Sequence, residues 1–261
     1  MSECVPHLKD KYNLNRQCLR ILREYKWLVN KKLNCLSILD FEKFKYERRN
    51  NSYLNKTFKN GYRSSNKDLI LFTTIFNKAI NIWGIKTQNY ASKIPKFPVS
   101  KGIYRPIKSH EHKTLLRKAN EKQKIIILLA RHTGLRPKEI FNLKISDIDN
   151  DRNKIMIRPE ISKNNIGREV DIPIFLISKI RLLKLKDNSN LINYSKTAFR
   201  FWFYRIVKSN NFKDLIFYNY RRQYVQTLVD KGYSIPKVAS MTGHNSWSMI
   251  ARYYGHFSLR N

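Results

Sequence analysis

Acidic residues are scarce in this sequence. Its 261 residues include 19 Asp and Glu against 52 Lys and Arg, and the formal net charge is +33 at pH 7. A compact chain with this charge repels itself, and binding to a polyanion relieves the repulsion. Nucleic acid is therefore the expected partner. The excess positive charge is +16 over residues 1–110 and +17 over residues 111–261, so both halves are expected to contact it.

Cysteines and clustered carboxylates are also few. The three cysteines lie within the first 35 residues and show no C-x-x-C spacing, which predicts free or buried thiols. His110, His112 and His132 have no cysteine or carboxylate cluster to complete a metal site. Two-metal phosphoryl chemistry would likewise lack its ligands. No metal or other cofactor is expected, and any phosphoryl chemistry would depend on cations and a side-chain nucleophile.

Long apolar runs are missing. No segment approaches the ~20 apolar residues of a membrane-spanning helix, and the first ten residues, MSECVPHLKD, contain no signal-peptide core. The sequence therefore predicts a soluble protein with no membrane partner. It is expected in the cytoplasm, associated with the nucleoid, or in the host cytoplasm if the chain is viral.

The first part of the chain has the apolar periodicity of helices. Residues 14–33, 38–49 and 67–83 each place apolar or basic side chains at helical spacing, which predicts a small helical domain over residues 1–94. Pro95, Pro98 and Pro106 then disfavour helix and remove backbone donors. Residues 95–111 are therefore predicted to be a linker.

The second part, residues 112–261, combines helices with short strands. The apolar stretch EKQKIIILLARH predicts a helix that ends at Gly134. The remaining elements alternate with Asp, Asn and Gly turns. Strands are predicted near 145–148, 154–158 and 169–172, and helices near 196–209 and 217–231, after Ser234 and after Ser246. The predicted fold class is mainly α with a small antiparallel β-sheet (α+β).

Motifs in the second part bring together arginines, a Gly-His pair and tyrosines. HTGLRPKEIFNLKISDID contains Arg136, and YNYR contains Tyr218 and Arg221. MTGHNSWSMIARYYGH contains His244 and, nine residues later, Tyr253. In this order they resemble the tyrosine recombinase, or phage-type integrase, family over about residues 120–256. The catalytic domain of that family also resembles type IB topoisomerases.

Each motif matches a family pattern at a definite position. The first is similar to the T-G-L-R-x-x-E box and makes Arg136 the first catalytic arginine. The second stands where the family has H-x-x-R, so that Arg221 is the second arginine and Tyr218 replaces the usual histidine. The third is similar to the L-G-H-x-S-x-x-x-T-x-x-Y ending, with His244 in the Gly-His position and Tyr253 as the nucleophile.

The resemblance implies a helical core-binding domain that clamps DNA, followed by the catalytic domain. It also implies cleavage and rejoining of double-stranded DNA through a covalent 3′-phosphotyrosine, without metal or ATP. A lysine on a hairpin between two strands would protonate the leaving 5′-oxygen. Lys163 is most similar in placement, and Lys154 is the alternative. A homodimer or homotetramer is expected on the DNA synapse, with a monomer as the alternative in free solution.

These residue types suit the reaction on physical grounds. Attack on a phosphodiester builds negative charge on the non-bridging oxygens, and guanidinium groups meet that charge with two hydrogen bonds each. The same cationic pocket favours the phenolate of a tyrosine whose reference pKa is about 10. A neutral phenol at Tyr218 can donate a hydrogen bond to phosphate but is a weak base.

Several alternatives remain open at this stage. Arg222 adjoins Arg221 and could take its place, and Tyr254 adjoins Tyr253 but points about 100° away on a helix. A non-catalytic sequence-specific DNA-binding protein is one alternative function, because helix 217–231 with the next helix mimics a helix-turn-helix. A type IB topoisomerase-like enzyme is another. The Lys, Asn and Ile-rich composition suggests a mobile element or a virus.

Overall fold

The computed structural model describes the backbone of residues 11–50, 61–99, 105–186 and 189–254. The chain divides into two compact units, Met1–Gly102 and Ile103–Asn261. Within the described ranges, no helix has the length and apolar character needed to cross a bilayer. Each unit has its own hydrophobic core.

All the regular elements of the first unit within residues 11–50 and 61–99 are helices. Tyr25 and Phe44 contact edge to face in its core, with ring centroids 4.7 Å apart. The helix predicted over 14–33 is divided at Tyr25, where the backbone leaves helical geometry (φ −120°, ψ 48°) and the ring turns into this core. The helices are α1 (Lys11–Glu24), α2 (Lys26–Val29), α3 (Ile38–Asn50), α4 (Tyr62–Asn81) and α5 (Tyr90–Lys93).

A buried carboxylate joins three helices of this unit. Asp68 on α4 accepts hydrogen bonds from Gln17 (2.5 Å) and Arg20 (2.5 Å) on α1 and from Arg48 (2.6 Å) on α3. The Asp68 and Arg48 side chains are almost fully buried, so the pair is hydrogen-bonded as a buried charge must be.

Residues from the stretch predicted as a linker pack against each of the two units. Phe97 stacks on Tyr62 at 4.5 Å in the first unit, and both its amide and its carbonyl are bonded to the side chain of Asn66 at 2.9 Å. Ile107 is buried in the core of the second unit. A helix begins at Ser109, still inside the predicted linker.

The second unit is a helical domain with a small sheet, which confirms the predicted fold class. Its strands are β1 (Ile148–Asp149), β2 (Lys154–Ile157) and β3 (Arg168–Asp171), antiparallel in the order β1-β2-β3. Residues 145–147, predicted as strand, form a 3₁₀ turn. The helices are α6 (Ser109–Arg117), α7 (Glu121–Thr133), α8 (Pro137–Ile140), α9 (Ile174–Arg181), α10 (Lys196–Ser209), α11 (Asn219–Asp230), α12 (Ile235–Thr242) and α13 (Trp247–Tyr254).

Helix α7 is the central element of this domain. Asn120 caps its first turn by accepting the amide of Gln123 (2.9 Å), and Gly134 ends it in the left-handed conformation at φ +62°. Its Ile and Leu side chains are buried around most of the helix, against α9 and α11. The chain that leaves Gly134 therefore starts from a fixed position, and the first predicted catalytic residue follows two positions later.

Candidate active site

Arg136 is held at the start of α8 by Glu139. Pro137 occupies the first helical position, where its missing N–H costs nothing. The Glu139 carboxylate accepts hydrogen bonds from the Arg136 backbone amide (2.8 Å) and from the Arg136 guanidinium (2.9 Å). Glu139 is fully buried. Burial alone would raise the pKa of this carboxyl, but hydrogen bonds and charge from Arg168, with Arg136, outweigh it and hold the pKa below its usual value.

Arg221 lies on the buried face of α11 and is only 2 % exposed. Its guanidinium donates to the carbonyls of Gly134 (2.7 Å) and Thr242 (2.6 Å). Its Nε is buried and has no hydrogen-bond partner among the described residues. Burial, reinforced by the positive charge of Arg136, lowers the pKa of Arg221 to about 10. The guanidinium is therefore charged at neutral pH, and its Nε has no acceptor among the described residues.

The neighbours of Arg221 have other surroundings. The guanidinium of Arg222 lies over the ring of Tyr218, with its Cζ 5.8 Å from the ring centroid. Tyr218 is 37 % exposed and begins α11. Tyr220 is fully buried, and its hydroxyl contacts His112 Nδ1 at 2.9 Å. The buried position belongs to Arg221 and not to Arg222, whereas the proposed roles of Arg221 and Tyr218 in catalysis stay predictions.

The two predicted catalytic arginines meet at one turn. Arg221 donates to the carbonyl of Thr242, and Arg136 donates to the next carbonyl along the chain, that of Gly243. Gly243 ends α12 with φ +67°, which turns these carbonyls toward the arginines. The structure therefore places both guanidiniums at the same turn, where two like charges stand close together.

His244 directly follows this turn. Its Nδ1 lies 2.6 Å from the Thr242 hydroxyl, and its Nε2 lies 3.3 Å from the Arg221 guanidinium. Since the Thr242 hydroxyl donates to the Val238 carbonyl (2.6 Å), its oxygen accepts from His244, and this network assigns the ring proton to Nδ1. Burial, with the charge of Arg221 next, lowers the pKa of His244 to about 3. The ring is neutral, and Nε2 is an acceptor.

Arg168 is a further residue of this site that was not predicted. It opens β3, donates to both oxygens of Glu139 (3.1 and 2.8 Å), and its Nε donates to the Met241 carbonyl (3.3 Å). In the sequence Arg168 stands just before the strand predicted near 169–172, and no local pattern distinguishes it from the other arginines. A buried carboxylate must be paired with a cation, but the burial of Glu139 arises only in the fold.

The two lysine candidates have different surroundings. Lys154 forms an ion pair with Asp171 (2.5 Å), opposite it on the paired strands. Ile157 lies three residues further along β2, opposite Arg168, which contacts Glu139. The Lys154–Asp171 pair is therefore ~10 Å from the end of the hairpin that reaches Glu139. Lys163 is exposed in the connection between β2 and β3, beside Asn164, whose amide donates to the Gly243 carbonyl (3.2 Å). Lys163 as proton donor stays a prediction.

Tyr253 lies on α13, but its side chain and that of Tyr254 fall outside the described residues. The helix itself is anchored by Ile250, which is 1 % exposed and packs in a cluster with Val225 of α11 and Val238 of α12. Helix α13 therefore follows directly from the turn that holds both arginines. The nucleophile assignment stays a prediction.

A cavity of about 390 Å³ lies at the turn of Gly243 and His244, and Arg136 and Arg221 are not among its lining residues. Its walls come from the β2–β3 connection on one side and from the turn after α12 on the other. In the part of the chain that the structure describes, no group of three or more His, Cys, Asp or Glu side chains could hold a metal ion. The residues that line this cavity include Ser162, Asn164, Arg168, Gly243 and His244.

The sequence also matches a known protein family. The profile of the phage integrase family matches residues 105–259. A shufflon-specific DNA recombinase of Escherichia coli is 27% identical over 190 residues, which cover 71% of this chain and 49% of that protein. The tyrosine recombinase XerA of Thermococcus kodakarensis is 33% identical over 126 residues, 47% of this chain and 43% of that protein. The chain spans about half the length of the curated relatives it matches.

Solved structures show the same fold at low identity. The Tn1549 transposon integrase in complex with circular intermediate DNA superposes with a TM-score of 0.74 at 18% identity, covering 99% of this chain and 94% of that one. A lambda integrase dimer bound to a COC′ core site gives 0.73 at 16% identity, covering 97% and 91%. Both matches extend over nearly the whole chain.

Proposed function

This chain belongs to the phage integrase family of tyrosine recombinases, and from that premise we propose that it is a site-specific DNA recombinase. It cleaves and rejoins double-stranded DNA through a covalent 3′-phosphotyrosine intermediate. The observation that carries the proposal is the convergence of Arg136 and Arg221 on the adjacent carbonyls of Gly243 and Thr242.

Two guanidiniums at one turn suit a phosphodiester. Each can donate two hydrogen bonds to the non-bridging oxygens, where negative charge develops during attack on phosphorus. The unused Nε of Arg221 is a buried donor that an anion would satisfy. DNA binding would exchange some of the carbonyl contacts of these guanidiniums for phosphate oxygens. The positive charge of the two guanidiniums would stabilise the transition state of the attack on phosphorus.

The covalent step is assigned to Tyr253. Its phenolate oxygen forms a bond to phosphorus while the bond from phosphorus to the 5′-oxygen breaks, and Lys163 gives that oxygen a proton. In the reverse direction a 5′-hydroxyl of a partner duplex gives its proton back to Lys163 and attacks the phosphotyrosine, and the bond from phosphorus to the tyrosine oxygen breaks to release the phenolate. One phosphoester is exchanged for another, so no nucleotide is consumed.

His244 and Tyr218 have supporting roles in this proposal. The neutral His244 ring accepts from Arg221 at 3.3 Å and thereby orients the guanidinium. Tyr218, exposed at the start of α11, donates a hydrogen bond to a phosphate oxygen, because a phenol is a donor at neutral pH.

The partner and the assembly follow from the family. A charge of +33 supports a DNA partner. Solved relatives are a lambda integrase dimer on a core site and a tetramer on a Holliday junction. We assign the same kind of assembly on DNA to this chain, and we place the protein in the cytoplasm, where its DNA substrate is accessible. A mobile element is the expected source of the DNA site.

The test uses a suicide substrate. The protein first selects its site from a random-sequence duplex pool, and the selected site is then synthesised with a nick beside the scissile phosphate. Denaturing electrophoresis of wild type, Tyr253→Phe and Tyr254→Phe follows. A covalent adduct is expected for wild type and Tyr254→Phe only. An adduct that persists in Tyr253→Phe overturns the nucleophile assignment.

The same experiment separates the competing functions. A selected site that is bound without any adduct supports a non-catalytic DNA-binding protein. An adduct together with relaxation of supercoiled plasmid, but without joining of two sites, supports a type IB topoisomerase-like enzyme. Joining of two duplexes that each carry the site supports the recombinase.

A further inference from the structure

The connection between β2 and β3 contacts the arginine turn through Asn164. The Asn164 side-chain amide donates to the Gly243 carbonyl at 3.2 Å, and that oxygen also accepts from Arg136. One carbonyl therefore receives two donors, one from the loop and one from a proposed catalytic residue. Both donors fit, since a carbonyl oxygen has two lone pairs.

The loop is also fixed on either side of Lys163. Ser162 is 3 % exposed, and its amide donates to the Arg158 carbonyl (3.2 Å). Asn165 adopts the left-handed conformation at φ +55°, which asparagine tolerates better than most residues. Lys163 thus lies between a buried residue and a side chain that is bonded to the active-site turn.

We propose that Asn164 is a positioning residue that fixes the loop of Lys163 to the turn of Arg136. The inference rests on the proposed function, in which Lys163 protonates the leaving 5′-oxygen. By donating to Gly243, Asn164 sets the distance between the proton donor and the guanidinium that holds the phosphate. The reaction needs both at one phosphorus.

The chemistry explains why an asparagine serves this purpose. A carbonyl must be met by a donor, and the Asn164 amide is a neutral one, which adds no further charge beside the Arg136 and Arg221 guanidiniums. Aspartate has the same shape but carries no proton to donate at neutral pH, so it would repel the Gly243 carbonyl. General acid catalysis contributes about 10²–10⁴ in rate and requires hydrogen-bond reach of the accepting atom. Loss of the hydrogen bond from Asn164 to Gly243 should therefore remove a large part of this rate enhancement.

The test replaces the 5′-bridging oxygen of the selected site by sulfur. In the oxygen substrate the leaving alkoxide needs a proton. In the sulfur substrate the tyrosine oxygen forms its bond to phosphorus, the phosphorus–sulfur bond breaks, and a thiolate leaves without a proton, because a thiol pKa is about 8.5. A defect confined to proton delivery is therefore rescued by sulfur. A defect in the arginines or in the fold is not.

The variants are Asn164→Ala, Asn164→Asp, Lys163→Ala and Arg136→Lys. The matched control is Asn142→Ala, since the Asn142 amide also donates to a backbone carbonyl, that of Lys138 (2.6 Å), but away from the turn. Thermal unfolding and DNA binding are measured for each variant. Asn164→Asp keeps the shape of the side chain, so the test stands if Asn164→Ala fails to fold.

We expect both Asn164 variants to cleave the oxygen substrate at least about tenfold more slowly than wild type, and to recover on the sulfur substrate as Lys163→Ala does. Arg136→Lys should stay slow on both substrates. Rescue of Lys163→Ala without rescue of the Asn164 variants would overturn the inference and leave the proposed function intact. If sulfur did not rescue Lys163→Ala, Lys163 would not be the proton donor, and the inference about Asn164 would be overturned with that assignment. If wild type cleaved neither the oxygen nor the sulfur substrate, the proposed function would be overturned and the inference with it.

Discussion

Glu139 and Arg168 form an ion pair with two hydrogen bonds, 2.8 and 3.1 Å long, in the interior of the second unit. The pair connects β3 to α8, and the third nitrogen of Arg168 continues the connection to the Met241 carbonyl near the end of α12. Glu139 also accepts from Arg136. The position of a proposed catalytic guanidinium therefore depends on a carboxylate that itself is held by a residue from the sheet.

We predict that Glu139→Gln destabilises the protein by about 3 kcal/mol, because it leaves the largely buried guanidiniums of Arg136 and Arg168 without their counter-charge. The control is Glu169→Gln on β3, the strand that carries Arg168. Glu169 accepts from Arg152 with the same two-point geometry (2.9 and 3.1 Å) but at the surface. A surface pair contributes at most about 1 kcal/mol. Urea unfolding at neutral pH measures both, and equal losses would contradict the prediction.

The same variant has a defined pH dependence. The pKa of Glu139 is lowered from its ordinary 4.5, so its stabilising contribution is complete above 4.5 and is lost as pH falls through the lower folded-state value. The difference in unfolding free energy between wild type and Glu139→Gln should therefore shrink below pH 4.5. A difference that stays constant or grows in acid would show that the charge of Glu139 is not what stabilises the fold.

Gly134 is predicted to tolerate no side chain. Its φ is +62°, and a Cβ there would lie 2.2 Å from Tyr224 Cδ1. Gly232 is the matched control, with φ +81° and open space around it. Gly232→Ala should cost about 1–2 kcal/mol for the left-handed conformation alone. Gly134→Ala should cost about 1–3 kcal/mol more through overpacking. Equal losses in chemical unfolding would show that Tyr224 moves away freely.

Gly134→Ala should also slow cleavage, since the Gly134 carbonyl accepts from Arg221. Displacement of this carbonyl changes the geometry of the buried guanidinium. Gly232→Ala should leave cleavage of the suicide substrate unchanged. Adduct formation, measured at a temperature where both variants remain folded, checks this.

Much of the fold was predictable from local signals. The helix that ends at Gly134 has an asparagine cap and a left-handed glycine, and both are visible in the sequence. Strands β2 and β3 follow from β-branched residues between Asn and Gly turns. Arg136 and Arg221 are far apart in the chain, so no local signal could show that they meet. Their meeting was expected from the order of the motifs that resemble the family.

Contacts that the apolar periodicity does not reveal decided the elements that were missed. Helix α6 begins in a proline-containing stretch because Glu111 accepts the Lys108 amide (2.8 Å) and pairs with Arg105. Helix α9 is a short apolar segment whose periodicity does not separate helix from strand, and it becomes helical where it packs on α7. Arg168 has no local signal at all. Its importance arises only when the sheet brings it to Glu139.

We predict that His244 stays neutral throughout the range in which the protein is active. Burial and the charges of Arg221, Arg136 and Arg168 lower its pKa to about 3, while Glu139 opposes this only in part. The unfolded chain, with an ordinary value of 6.5, takes up a proton below that pH and the folded state does not, so His244 makes the fold less stable as pH falls below 6.5.

Nuclear magnetic resonance of the imidazole protons, assigned with His244→Asn, measures this directly. The His244 signals should not titrate between about pH 8 and 5. The pH profile of the cleavage rate should likewise contain no ionisation between about pH 8 and 5 that is lost in His244→Asn. A titration near 6.5 would mean that the ring is open to solvent and does not accept from Arg221.

The adjacent arginines of α11 provide the sharpest comparison at the site. Arg221 is buried and donates to two carbonyls, whereas Arg222 lies over the Tyr218 ring at the surface of the helix. Lysine keeps the charge but loses the planar pair of donors. We predict that Arg221→Lys slows cleavage on the order of a hundredfold, as for loss of a transition-state donor, with DNA binding close to wild type.

Arg222→Lys should leave the cleavage rate within about threefold of wild type and change only the salt dependence of binding. Adduct formation on the suicide substrate and binding by fluorescence anisotropy measure the two effects separately, with thermal unfolding to confirm that each variant is folded. If Arg222→Lys were the slow variant, the second arginine of the site would be Arg222, and the buried guanidinium would have a structural role. If Arg221→Lys lost binding and cleavage equally, Arg221 would anchor DNA without stabilising the transition state.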